Sequence, residues 1–249
     1  MVRPSSLLQP PYRVLLMNLG YATGLDGSLW GYLTQWYRYL YTPRWIIRSV
    51  RRSLYGLLNR EHPDLCCFVE IHHKHGFVPH PHAYRSHINN KYGRFSLLRH
   101  LPFFRDNCNG FFSHQALHFH KRYFQNGTKK LVYDIDLGNG LSLLLVHFSL
   151  RRDTRRRQCM ELRSMLNGRN NAIVCGDFNI FRGTRELRAL AESCGLRIVD
   201  ARHPTFPAAH PRKALDLFLC PKALSSVSAH VMEEVKVSDH LPVMLEVGV

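Results

Sequence analysis

Apolar residues fall along this chain in short runs separated by turn residues, a pattern of strands rather than of long helices. The runs Tyr12–Asn18, Asp64–Glu70, Phe111–Phe119, Lys130–Asp136, Leu141–Phe148, Asn171–Asp177, Leu215–Leu219 and Pro242–Val247 each read as a strand. Gly138-Asn139-Gly140 between two of them predicts a hairpin. Helical stretches are fewer and lie between strand groups, at about Leu29–Arg60, Asp153–Leu166 and Arg185–Cys194. Strands grouped with strands and covered by helices predict an α/β or α+β sandwich of two sheets. No repeat, low-complexity block or linker divides the 249 residues. The expectation is one domain with an aromatic, arginine-rich helical insertion at about 29–60.

That insertion has two halves. Pro43 opens a helix in which Ile46, Ile47, Val50, Leu54, Leu57 and Leu58 keep helical spacing, with Arg44, Arg48, Arg51 and Arg52 largely off the stripe. This half reads as an amphipathic helix packed on a sheet. The stretch Trp30–Trp45, which overlaps the start of that helix, carries Trp30, Trp36, Trp45, Tyr32, Tyr37, Tyr39 and Tyr41, and arginine is its only charged residue type. It reads either as a lid that stacks bases, with Trp30 and Trp36 contacting substrate, or as an interfacial helix at headgroup level.

Composition narrows the partners. A formal charge of +16 and a pI near 9.9 favour anionic ligands: nucleic acid, acidic lipid headgroups or phosphorylated small molecules. The seven cysteines form no C-x-x-C pair, and adjacent Cys66 and Cys67 point to opposite faces of a strand, which suits packing and a reducing compartment. Val14–Met17 is far too short for a signal-peptide core, and no apolar run reaches the roughly 20 residues of a membrane span. A soluble, monomeric, cytoplasmic protein is expected, with no protein partner inferred; a secreted effector on a non-standard export route would look the same.

The chemistry-bearing residues cluster at strand ends. Gly176-Asp177-Phe178-Asn179 follows a buried-type strand, so Asp177 can orient or deprotonate a water while Asn179 holds a phosphoryl oxygen. Glu70 ends an apolar strand, where a carboxylate needs a partner such as Mg²⁺. Ser238-Asp239-His240 stands at a strand entrance: Asp239 suits a metal, and His240, held by Asp216, polarises phosphate or activates water. His147 is a second candidate proton donor or oxyanion partner.

Asn18, Glu70, His147, Gly176-Asp177-Phe178-Asn179, Asp216 and Ser238-Asp239-His240, in this order from about Val14 to Val247, resemble the endonuclease/exonuclease/phosphatase superfamily. The resemblance implies a four-layer α/β sandwich, two mainly antiparallel sheets packed face to face and flanked by helices. It also implies Mg²⁺ dependence, with Mn²⁺ an alternative, and hydrolysis of a phosphate ester. Glu70 then resembles the main metal ligand with Asn18 and Asp239 beside it, Asp177 and Asn179 the pair around the attacked phosphate, and Asp216–His240 the carboxylate–histidine dyad. Leu19 and Gly20 follow Asn18 where abasic-site endonucleases of the superfamily carry a second acid, so that branch does not fit. His147 resembles the histidine of the pancreatic-deoxyribonuclease, sphingomyelinase and inositol-phosphatase branches. Its glutamate partner in the deoxyribonucleases has no counterpart in residues 71–105, which hold no acid.

A nuclease is the leading expectation and a phospholipid or sphingolipid phosphodiesterase, or inositide phosphatase, at a membrane surface is the alternative. A non-catalytic nucleic-acid scaffold is the third reading, disfavoured by so complete an acid–amide–histidine set. Arg151-Arg152-Asp153-Thr154-Arg155-Arg156-Arg157 suggests an anion-binding rim in which Arg151 and Arg152 contact substrate. His72, His73, His75, His80, His82 and His87 lack zinc-site spacing and read as a solvated, phosphate-facing loop.

Overall fold

The computed structural model describes residues 11–75, 85–102, 104–200 and 202–248. Its strands are β1 (Tyr12–Asn18), β2 (Leu65–His72), β3 (Arg85–Asn90), β4 (Asn107–Ser113), β5 (Phe119–Tyr123), β6 (Leu131–Gly138), β7 (Leu141–His147), β8 (Ala172–Asp177), β9 (Leu196–Val199), β10 (Asp216–Pro221), β11 (Val227–Val231) and β12 (Val243–Val247). The α-helices are α1 (Leu29–Gln35), α2 (Arg44–Glu61), α3 (Arg152–Leu166) and α4 (Arg188–Ser193). The strands form two six-stranded sheets, ordered β11-β12-β1-β2-β4-β3 and β5-β6-β7-β8-β10-β9. Pairing is antiparallel except for β1–β2 and β7–β8, the central pair of each sheet.

Strand alternation builds the layers. Val14 and Leu16 face the other sheet together with Cys67, Phe111, Tyr133, Cys175 and Phe218. Leu15, Met17, Cys66 and Phe68 face outward, where Ile46, Val50, Leu54 and Leu57 of α2 cover them. On the far side Leu144, Val146 and Val174 pack against Leu162 and Leu166 of α3 and Leu190 of α4. Central strands are therefore buried on both faces and read as continuous apolar runs. Cys66 and Cys67 do split between the two faces.

Differences from the sequence reading lie at sheet edges. The run Phe111–Phe119 is not one strand: β4 ends at Ser113, and the chain crosses to the other sheet before β5 begins at Phe119. Phe111 and Phe119 still meet, edge to face across the sheets at 5.1 Å, so one apolar pattern continued through a break in the strand. Strands β3, β9 and β11 fall outside the runs that the sequence pattern marks as strands, and each is a sheet edge with few buried residues. The helical stretch from Leu29 divides into α1, a 3₁₀ turn at Trp36–Tyr39 and α2, because Pro43 has no N–H to donate and disfavours helix in the residue before it. The stretch from Arg185 likewise divides into a 3₁₀ turn at Thr184–Glu186 and α4. The β6–β7 hairpin turns where expected, with Gly138, Asn139 and Gly140 all at positive φ.

Candidate active site

The carboxyl ends of β1 and β2 meet those of β7 and β8 at one edge of the sandwich. Asn18 ends β1 and donates through Nδ2 to Asp177 Oδ2 at 3.2 Å, bridging the two sheets. Its Oδ1 accepts from the Gly20 N–H at 2.9 Å, folding the loop back over the strand end. Gly20 has a φ of 48°, and a Cβ there would lie 2.9 Å from Asp239 Oδ1, so the tight turn leaves the Asp239 carboxylate room.

Glu70 also has positive φ, 56°, at the point where β2 slips register against β4. Its N–H donates to Asn109 Oδ1 at 3.3 Å. A non-glycine residue held in this region is strained, and it sits at the register slip by which the strand presents its carboxylate at the sheet edge. There Oε1 accepts from Tyr21 Oη at 3.2 Å and faces Lys129 Nζ at 3.5 Å, His147 Nε2 at 3.5 Å and Lys91 Nζ at 3.7 Å. Lys91 is fully buried, and burial followed by the charge of Lys129 pushes its ammonium well below the ordinary lysine range. It also contacts the Tyr21 hydroxyl.

Asp177 ends β8. Gly176 before it lies so close to β7 that a Cβ would sit 1.9 Å from the Val146 carbonyl oxygen. Glycine is therefore required for close strand approach as well as for the exit of the chain. Asp177 Oδ1 accepts from the Asn179 N–H at 2.9 Å, and Oδ2 from Asn179 Nδ2 at 3.1 Å. Burial alone would raise this carboxyl, but His147, His240 and Lys129 overcome it and hold the group below the usual carboxylate range. Asn179, at a φ of 51°, donates also to the Phe148 carbonyl at 2.9 Å, so its amide orders Asp177 rather than projecting freely toward a phosphate.

His147 ends β7 in register with Asp177. Its Nε2 faces Asp177 Oδ2 and Glu70 Oε1, both at 3.5 Å, and contacts the Lys129 ammonium. Its Nδ1 is buried without a hydrogen-bond partner among the described residues. Burial, then Lys129, lowers this imidazole to about 4, so at neutral pH it is an uncharged group and not a ready proton donor. Its carboxylate neighbours are Glu70 and Asp177 rather than an acid from residues 71–105.

The second histidine is the opposite case. His240 Nδ1 lies 2.6 Å from Asp216 Oδ2, which also accepts from Thr205 Oγ1 at 2.7 Å. Burial opposes its charge, but Asp216, then Asp177 and Asp239, raise it to about 10. It is an imidazolium at neutral pH, fixed by its carboxylate and suited to stabilising phosphate charge or giving up a proton. Ser238 Oγ donates to the Asn18 carbonyl, tying this loop to β1 at 2.5 Å. Asp239 Oδ2 accepts from Tyr32 Oη at 2.7 Å, and burial followed by the Asp239 charge raises that hydroxyl, which stays a donor.

Glu70, Asp177 and Asp239 with the Asn18 amide offer the oxygen donors that a hard divalent cation takes. Asp177, Asp216 and His240 also bring ligand atoms within 4.8 Å of one another. That trio suits a cation less well, because His240 is itself cationic and its Nδ1 is engaged by Asp216.

The remaining candidates lie around this core. Arg151 and Arg152 are exposed at the start of α3, just after His147. Arg155 of the same run is buried against Glu186 at 2.8 Å and donates to the Ser149 and Leu150 carbonyls, so it is structural. Trp30 and Trp36 are exposed. The histidine group is not one cluster: His72 stacks on His75 at 4.0 Å, while His87 packs on Phe111 and Phe119 at 4.9 and 4.6 Å. His80 and His82 lie outside the described residues. Beyond Asn179 a cleft of about 590 Å³ is lined by Arg182, Arg185, Arg202, Arg212 and Lys213.

Sequence reasoning missed Tyr21, Tyr32, Lys91, Lys129 and Thr205. None is in a strand, and ordinary turn composition around Lys91 (Asn-Asn-Lys-Tyr-Gly) and Lys129 (Asn-Gly-Thr-Lys-Lys) conceals them.

The profile of the Endonuclease/Exonuclease/phosphatase family matches residues 47–240. No curated relative matches the chain. Among solved structures, the endonuclease domain of TRAS1, a telomere-specific non-LTR retrotransposon, is 16% identical with a TM-score of 0.61, covering 96% of this chain and 98% of that one. The human Nocturnin catalytic domain with bound sulfate is 17% identical with a TM-score of 0.64, covering 96% and 94%. Truncated Caenorhabditis elegans TDP2 is 14% identical with a TM-score of 0.59, covering 96% and 98%. At these identities the likeness is one of fold.

Proposed function

The chain belongs to the endonuclease/exonuclease/phosphatase family, and from that premise we propose that it is a Mg²⁺-dependent phosphodiesterase using an activated water, with nucleic acid as its first substrate class. The observation that carries the reading is the meeting of Glu70, Asp177, His147 and the Asp216–His240 pair at one sheet edge. Glu70, Asp239 and Asn18 would hold the cation. When bound, it would supply Lewis-acid stabilisation of charge on the scissile phosphate, and Mn²⁺ would serve similarly. Asp177, kept ionised, orients a water or takes its proton. The His240 imidazolium, kept in place by Asp216, neutralises phosphoryl oxygen charge. Lys129 adds positive potential at Glu70, and His147 supplies a neutral hydrogen-bonding group.

The basic cleft beyond Asn179, exposed Arg151 and Arg152, and the charge of +16 support a polyanionic substrate. A second reading, a lipid phosphodiesterase or inositide phosphatase, uses the same chemistry and is favoured by the exposed aromatic segment beginning at Leu29. The test runs plasmid DNA, RNA, sphingomyelin vesicles and inositide vesicles side by side with Mg²⁺, using wild type and Asp177→Asn. Nucleic-acid cleavage that the substitution lowers at least about 100-fold is the expected result. Lipid turnover with intact DNA and RNA would move the protein to the second reading. No divalent-dependent turnover of any of them would sink both.

A further inference from the structure

We infer that the active-site end of the molecule docks on an anionic lipid bilayer through the Leu29–Trp45 segment. The inference gives the second substrate reading a physical surface. Helix α1 is inside out. Its buried residue is Gly31, whose Cβ position lies 3.0 Å from Ser28 Oγ and 3.1 Å from Asp26 Oδ1. Its large apolar side chains face water: Leu29 is 82% exposed, Trp30 74% and Leu33 73%. The surface continues through exposed Trp36, Leu40 and Trp45. A soluble monomer rarely exposes so many large apolar side chains within one short segment without a partner.

Charge selects the occupant. Between Gly27 and Arg60 the chain has six arginines and no acidic residue. Arg44, Arg48 and Arg52 are exposed on α2, directly following the apolar surface. Tryptophan, tyrosine and leucine edged by arginine are what the headgroup–acyl boundary of an anionic membrane accommodates. A second copy would bring a net +16 against +16. Single-stranded nucleic acid would stack on the tryptophans but leave Leu29, Leu33 and Leu40 in water, because a leucine has no face to offer a base.

Position ties the surface to catalysis. Tyr32, within α1, donates to Asp239 at 2.7 Å, so the docking helix touches the site itself. The turn before it meets the loop beside the basic cleft, where the Ala209 N–H donates to the Asp26 carbonyl at 2.9 Å. Strands β1, β2 and β3 run in one direction, so the segment after β3, with exposed Phe95 and Leu97, leaves the same sheet edge. A bilayer meeting this end would present lipid headgroups to the metal-ligand carboxylates and the arginine cleft.

The test is co-sedimentation with phosphatidylcholine vesicles carrying phosphatidylglycerol, against phosphatidylcholine alone, in EDTA. Without divalent ions, failure to dock and failure to hydrolyse are separate results. Wild type should bind the anionic vesicles at least about tenfold more tightly than the neutral ones, with blue-shifted tryptophan emission. Leu29→Ser/Leu33→Ser/Leu40→Ser should lose at least about tenfold in binding while, in a separate assay with Mg²⁺, hydrolysing a soluble bis-nitrophenyl phosphate ester at the wild-type rate. Vesicle binding equal to wild type in this variant would overturn the inference. So would an emission shift produced by single-stranded oligonucleotide and not by vesicles. Sedimentation of the protein without vesicles would assign the face to self-association instead.

Discussion

His147→Gln isolates the effect of burying an uncharged imidazole beside a lysine. The folded group titrates at about 4, through burial first and Lys129 second, whereas in the unfolded chain it titrates near ~6.5. Between these values the unfolded chain binds a proton that the folded chain does not, so acidification favours unfolding. The loss begins as pH falls through about 6.5 and is complete below about 4, where it reaches roughly 3 kcal/mol. At pH 5 it is about 2 kcal/mol. Asp177 adds little in this window, because its stabilisation is lost only as pH falls further, through a folded value held below the carboxylate range. His240 has its raised value near 10, so its contribution is lost on the alkaline side.

Urea unfolding in EDTA at a series of pH values from about 7.5 to 5 measures the difference directly. Wild type should lose about 2 kcal/mol more than His147→Gln over that range, whatever the two stabilities are at neutral pH. The other histidines titrate in both proteins and cancel. Parallel stability curves for the two proteins would refute the neutral His147 and with it the division of labour between the two histidines.

Asp216→Asn removes the carboxylate 2.6 Å from His240, and the ring should then titrate at least about two units lower by NMR, with turnover down about 100-fold or more. An unmoved titration would show that Asp177 and Asp239 hold the charge instead. Lys129→Met removes a cation 3.5 Å from Glu70, so Mn²⁺ should bind about tenfold more tightly by calorimetry. Unchanged affinity would count against Glu70 as a metal ligand. Gly176→Ala must fit a Cβ where only 1.9 Å separates it from the Val146 oxygen, and a loss of at least about 3 kcal/mol in chemical denaturation is expected. A variant as stable as wild type would mean that β7 and β8 can separate freely.

The central strands were legible because both their faces are buried, which writes Val14–Met17, Leu143–Val146 and Ala172–Cys175 as unbroken apolar runs. Edge strands β3, β9 and β11 bury little and left no such trace. The same rule sorts the site. Asn18, Glu70, His147, Asp177, Asp216 and Asp239–His240 sit at the ends of apolar runs, where a polar residue stands out and its order along the chain is informative. Tyr21, Lys91 and Lys129 reach Glu70 from loops, and nothing local distinguishes them from solvated turn residues.

Sequence by itself therefore determined the family, the two-sheet sandwich and the candidate acids and histidines of the site, because each depends on residue type at a fixed place along a strand. Only tertiary structure decided what those residues are: which histidine is charged, which carboxylates it meets, and which arginine is structural. Charge state and exposure depend on neighbours distant in sequence. Lys129 beside His147, Asp216 beside His240, and Glu186 around Arg155 are set by packing rather than by any local pattern.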